Sequence, residues 1–182
     1  MTKLTWKRPL LVGAFLGGLC AVLAAAIAGG DLLTKDVIAK NKAKTEKDGL
    51  ARVFRDATFS EAIAISSPEY PELSKYWTVD LGEEGTGYVY SAAGKNAYGD
   101  IALLAGFYED ASLANVIVIT NTQTYGQTLE DEYLDPLSKA EDKEEALDHV
   151  KCGATYGAKL TRDLVSEARN YLTEVTFGGN HE

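Results

Sequence analysis

Histidine and cysteine are scarce, with two of each in 182 residues. His149 and His181 form no metal-ligand cluster, so no metal site is assigned. Cys20 and Cys152 are too few for an iron–sulfur centre. Cys20 also lies inside a long apolar run, which excludes an ordinary structural disulfide within one domain. Positive charge is in deficit: 18 Lys and Arg face 27 Asp and Glu, for a net charge of −9. Only Lys3, Lys7 and Arg8, and no acid, precede Asp31, which leaves the remainder at −12, with 15 bases against 27 acids. Such a surface argues against nucleic acid as a partner, because that role needs a basic footprint. It keeps the domain soluble and is repelled by anionic lipid head groups. The chain has no Gly-x-Gly-x-x-Gly dinucleotide fingerprint and no Ser/His/Asp or Cys/His constellation, so no catalytic residue is assigned. Internal repeats and low-complexity tracts are absent as well.

What the chain does have, near its start, is an uncharged apolar run from Pro9 to Gly30. As a helix it would be about 33 Å long, enough for a hydrocarbon core of about 30 Å. The expectation is a cytoplasmic tail over 1–8 and a single transmembrane helix over 9–30. Small residues at Ala24–Ala26 and Ala26–Ala28 leave a signal-peptide exit open, but the run is longer than a signal peptide needs. Gly13 and Gly17 have the spacing that lets another membrane helix approach closely; lipid-facing glycines are the alternative. Lys3, Lys7 and Arg8 flank the span and favour a cytoplasmic N-terminus. Lys35, Lys40, Lys42, Lys44 and Lys47 follow it, yet a large C-terminal domain crosses largely regardless of charge.

Residues 31–55 are charged and helix-prone, as in a juxtamembrane or stalk helix, and 56–182 suffice for one domain with its own core. Segments rich in Tyr, Val, Ile and Leu predict strands over Tyr76–Leu81, Gly87–Ser91, Ile101–Tyr108 and Ala114–Thr120. Pro136–Val150 reads as a helix. From Leu160 the apolar positions Leu164, Ala168, Tyr171, Leu172 and Val175 follow one helix face. The fold class is therefore α+β.

Directly before that last helix stands Cys152-Gly153-Ala154-Thr155. Gly153 permits a tight entry, and Thr155 falls near the helix start, where unpaired amides and the dipole favour a phosphate. An ordinary loop with a threonine cap is the plainer alternative. The stretch resembles the flavinylation motif of a family of FMN-binding domains, found in the flavoprotein subunits of Rnf electron-transport complexes and of sodium-translocating NADH:quinone reductases. Cys152 stands where that family usually has Ser or Thr, and Gly157 where a hydroxyl residue commonly follows. Asp148 is the nearest acid ahead of the motif, with His149 closer to the place at which the family carries one. Gly87–Tyr90 followed by Tyr98–Phe107 is similar to the family's glycine-rich hairpin, and Thr122–Gln127 falls where the family has Glu-Thr-Pro-Gly-Leu-Gly. Thr124 and Gly126 match there, while Gln123 replaces Glu and Tyr125 replaces Pro.

The resemblance implies a soluble FMN-binding domain behind an N-terminal membrane helix. Its FMN would be joined covalently to Thr155 by a phosphoester bond. Cys152, Gly153 and Ala154 would surround that attachment, with Thr124, Tyr125 and Gly126 near the isoalloxazine ring. It implies an electron-relay subunit rather than a self-contained enzyme, set in the plasma or inner membrane with its flavin domain on the extracytoplasmic side. Its partners would be other membrane subunits of an ion-translocating oxidoreductase, of the Rnf type in preference to the quinone reductase. Two rivals are a membrane-tethered binding or scaffold domain without covalent flavin and a free-standing flavin reductase.

Overall fold

The computed structural model describes residues 7–178; Lys3 and His181 lie outside them. Two compact units divide the chain, Met1–Lys44 and Thr45–Glu182. Helix α1, Lys7–Val53, supplies all of the described part of the first unit and enters the second with its last turns. In the first unit, Leu10–Ile27 has a mean hydropathy of 2.5, long and apolar enough to cross a membrane. Its large side chains are exposed, Phe15 at 71% and Leu11 at 72%.

The second unit is α+β, built on an antiparallel sheet. Its short first strands are β1 (Thr58–Phe59) and β2 (Ile63–Ala64). Strands β3 (Leu73–Asp80), β4 (Thr86–Asn96), β5 (Gly99–Tyr108) and β6 (Leu113–Asn121) form a meander. Both β1 and β2 pair with the outer edge of β3. Register shifts at Ala102/Leu103 and Gly106/Phe107 bend the β5–β6 pairing, as bulges do. The four predicted strands are all present, each with wider or shifted bounds. Both faces of the interior strand β5 are buried, and its sequence is a near-continuous apolar run. Leu103, Ala105 and Phe107 join one core, while Leu104 joins the other, with the alternation that a pleated strand imposes.

The smaller core sits under the end of α1: Leu50, Val53 and Phe54 pack against Trp77, Val79, Val89, Leu104 and Ile117. The helix expected over Pro136–Val150 is two helices instead. A helical stretch begins at α2 (Gly126–Leu129), widens to a π turn over Glu130–Leu134 and ends with α3 (Asp135–Lys139). Ala140 is extended, and Asp142 then caps α4 (Lys143–Asp148) by accepting from the Glu145 amide at 3.0 Å. An aspartate at that place competes with helix continuation and starts a new helix. The larger core is covered by α5, Thr155–Tyr171, whose Ala158, Val165 and Ala168 are fully buried and Leu164 nearly so. The helix whose apolar stripe runs from Leu160 starts at Thr155, near its expected start, and it continues as a wider π turn over Leu172–Phe177. Arg169 of α5 donates to both Glu144 carboxylate oxygens at 2.7 Å, which fastens α4 to the packed helix.

Glu167 of α5 lies beside Glu72 at the head of β3, and burial, then its interaction with the neighbouring Glu72 carboxyl, push its carboxyl up to about 7. Glu167 Oε1 is buried without a hydrogen-bond partner among the described residues. A raised folded pKa means that folding takes up a proton, so this contribution is complete below the ordinary 4.5 and is lost as pH rises through about 7. The thermal midpoint of the full chain should therefore fall across that window, and Glu167→Gln should flatten the slope. An identical pH profile for the variant would refute the raised Glu167 carboxyl.

Candidate functional site

The site is assembled at one end of the α5 face from three segments distant in sequence. The first is the α5 entry. Ala154 occupies the N-cap position with φ −110° and ψ 44° and offers no side-chain cap. The Gly157 and Ala158 amides both donate to the Ala154 carbonyl, at 2.9 and 3.1 Å, so the helix opens as a tight turn. Thr155, the first helical residue, donates its hydroxyl to the Cys152 carbonyl at 2.6 Å. The Gly153 amide donates to Glu132 Oε2 at 2.6 Å, which ties the entry loop to the π turn. A Cβ on Gly153 would come within 2.8 Å of Thr128, so only glycine fits the approach.

The β4–β5 hairpin tip is the second segment, and the loop after β6 is the third. Thr122 receives the Asp100 amide on its hydroxyl at 2.8 Å, and the Thr124 amide and hydroxyl both donate to the Tyr98 carbonyl, at 2.8 and 3.2 Å. Gly99 has φ +139°, and a Cβ there would overlap the Thr122 carbonyl, so the loop can lie directly on the hairpin. Gln123 is buried at 8% exposure, and its Nε2 donates to the Gly99 carbonyl at 2.6 Å.

Between the segments lies a cavity of ≈ 190 Å³, lined by Tyr98 from the hairpin, Gln123 and Tyr125 from the loop, and the run Gly153–Gly157. Its three tyrosines are exposed: Tyr98 at 40%, Tyr125 at 58% and Tyr156 at 63%. The Tyr98 and Tyr156 rings lie 5.1 Å apart, tilted by 33°. Exposed aromatic rings around a cavity that also holds a hydroxyl and helix amides offer stacking to a planar ring and dipole stabilisation to an anion. Two larger recesses, ≈ 410 Å³ beside Asp56 and Asp80 and ≈ 590 Å³ beside Glu72 and Lys95, are lined by no residue of the 152–155 run or the 122–127 loop.

The structure therefore brings together Thr155, Gly153, Ala154 and Tyr125 at one cavity. Thr124 and Gly126 do not line it; they shape the loop through the Tyr98 carbonyl and Asn121, whose Nδ2 donates to the Gly126 carbonyl at 3.2 Å. Cys152 is half-buried against the larger core, and its part at the cavity is the carbonyl that receives Thr155. Asp148 ends α4 and His149 follows as its C-cap, both away from the lining. Tyr98, Gln123, Tyr156 and Gly157 complete the lining; Gln123 and Gly157 stand in the two runs that the sequence singles out and Tyr98 opens the hairpin stretch, whereas no sequence signal marks Tyr156. Among the described residues, no group of three His, Cys, Asp or Glu side chains converges to hold a metal.

Comparison with protein-family models finds no match, and comparison with curated proteins finds none either.

At Gly157, one of the places where the stretch departs from the motif it resembles, the space is closed. A Cβ there would approach Leu129 Cδ2 to 2.8 Å, and Leu129 is fully buried. Gly157→Ser, which installs the hydroxyl usual in the family, should cost about 1–3 kcal/mol by overpacking. Were the space open, the same change would stabilise the helix, since glycine is the poorer helix former. A lowered thermal midpoint is the expected result, with a smaller drop when the same change is made in a Leu129→Ala background; a raised one would show that Leu129 yields freely.

Proposed function

We propose that this chain is a membrane-anchored flavoprotein subunit whose FMN, attached to Thr155 through a phosphoester bond, relays electrons within an Rnf-type ion-translocating ferredoxin:NAD oxidoreductase complex. One observation carries the reading: the Gly-Ala-Thr motif and the separate 122–127 loop, both singled out on sequence, line one tyrosine-rimmed cavity at the start of a 17-residue helix. The residues fit the group. Thr155 Oγ1 supplies the ester oxygen and leaves its bond to the Cys152 carbonyl. The start of α5 would meet the phosphate with its positive dipole end and the Thr155 and Tyr156 amides, those of Gly157 and Ala158 being engaged by the Ala154 carbonyl. Tyr98, Tyr125 and Tyr156 flank the ring, and Gly153 and Ala154 keep the backbone close to it.

FMN when bound accepts and releases electrons one at a time, and the protein supplies position and electrostatics. The chain carries no dinucleotide fingerprint, so NADH or ferredoxin oxidation belongs to partner subunits in the membrane. The apolar stretch Leu10–Ile27 anchors the domain in the plasma or inner membrane, with the flavin on the extracytoplasmic side. A second reading, a tethered binding domain without covalent flavin, is favoured by the 2.6 Å bond from Thr155 to Cys152, which is what a purely structural threonine makes.

The two readings diverge on one substitution. With a flavin transferase present, the full chain should fluoresce as a flavoprotein on a denaturing gel. Thr155→Val should abolish that fluorescence, while Thr155→Ser, which keeps a hydroxyl, should retain it. Fluorescence persisting in Thr155→Val would refute the attachment site. A dark wild-type band would favour the binding domain.

A further inference from the structure

The orientation of the ligand in the cavity follows from Gln123. The Gly99 carbonyl can only accept a hydrogen bond, so the end of the Gln123 amide facing it, at 2.6 Å, is the nitrogen. The oxygen is thereby fixed on the other side, towards Gly157, where it lies 3.5 Å from the position a Cβ would take. Gln123 and Gly157 line the same cavity, and Oε1 accepts no hydrogen bond from any described residue. A side chain only 8% exposed thus aims one carbonyl oxygen into the cavity and holds it there, since turning the amide over would face oxygen against oxygen. The cavity is also small. At ≈ 190 Å³ it is below the range of about 300–1,000 Å³ that encloses a whole drug-sized ligand. It takes one edge of a ring system and leaves the rest against the exposed tyrosines.

Resting on the flavin reading above, we infer that the cavity receives the pyrimidine end of the isoalloxazine ring, with Gln123 Oε1 accepting a hydrogen bond from its N3–H, and that the dimethylbenzene end faces outward. The two ends of that ring differ in what they offer an acceptor that the ring would cover. The pyrimidine end carries an N–H donor between two carbonyls; the dimethylbenzene end carries only methyl groups and would leave Oε1 desolvated and unpaired. An unpaired buried polar group is penalised more than a made bond is rewarded, which is how such groups discriminate between ligands. The outward dimethylbenzene edge then stands on the solvent side, open to a redox partner. Gln123 is a specificity-determining residue on this account.

The test uses the unflavinylated full chain, purified from cells without a flavin transferase, and two soluble probes: riboflavin and 3-methylriboflavin, which lacks the N3–H. Riboflavin should bind with quenching of its fluorescence by the neighbouring tyrosines, and 3-methylriboflavin should bind at least about tenfold more weakly. Gln123→Leu should bring the two affinities together. Because the two-probe comparison is made on the unaltered pocket, it does not depend on the variant folding. Equal binding of both probes to the unaltered chain would overturn the orientation and leave the flavin site standing. No binding of either probe at millimolar concentration would overturn the flavin reading and the orientation together.

Discussion

Close packing of α5 on the sheet is the constraint on which the rest of the site depends. The helix approaches β4 where Gly94 faces Leu160 and Leu164, whose methyl groups would lie 3.0–3.1 Å from any Cβ placed there. At its start it meets Leu129 through Gly157. Thr161, fully buried, turns its hydroxyl onto the Gly157 carbonyl at 3.0 Å and so leaves no polar side-chain group unpaired at that point. With the helix held at both places, its first residue has one position, and Thr155 cannot drift from the hairpin and loop that face it. Protein interiors respond to a lost or added methylene because they are close-packed, and this positional certainty is the same property seen from the site.

Much of this is legible in residue patterns. The β3–β6 segments are long enough for the apolar enrichment and turn punctuation to show, and the apolar stripe of α5 marks its buried face. The two-residue β1 and β2 are too short to carry a period. The break at Ala140 is hidden because apolar residues on both sides keep a helical spacing; Asp142 decides it through a single capping bond. The start of α5 is marked by the Gly-Ala-Thr run and not by the apolar stripe. Tyr156, Gly157 and Lys159 interrupt the apolar stripe, yet the backbone is helical from Thr155, with Gly157 buried against α2. The contribution of Leu50, Val53 and Phe54 to a core is invisible in the sequence, where they end a charged segment with no boundary signal.

The site divides along the same line. Thr155 and the 122–127 loop can be paired from motif order, because each is a continuous run. Tyr98 and Tyr156 cannot be added that way, since they meet only when a hairpin tip folds against a helix start 58 residues later. The weight of Gln123 depends on a backbone carbonyl, that of Gly99, which no side-chain pattern announces. Glu132 is a similar case: it holds the Gly153 amide from the π turn, where it stands beside the acids Glu130 and Asp131.

Function on this view is a division of labour. The sheet and α5 provide a rigid frame, the tyrosines a surface for a planar ring, and the helix start an anion site beside a hydroxyl; the proposed FMN draws on all three. The central claim is that this hydroxyl carries the cofactor. Intact-mass spectrometry of the full chain, produced in cells whose flavin transferase modifies a known substrate in parallel, tests it most directly. A single increment equal to one FMN less one water is the expected result. An unmodified mass, with the parallel substrate fully flavinylated, would contradict it.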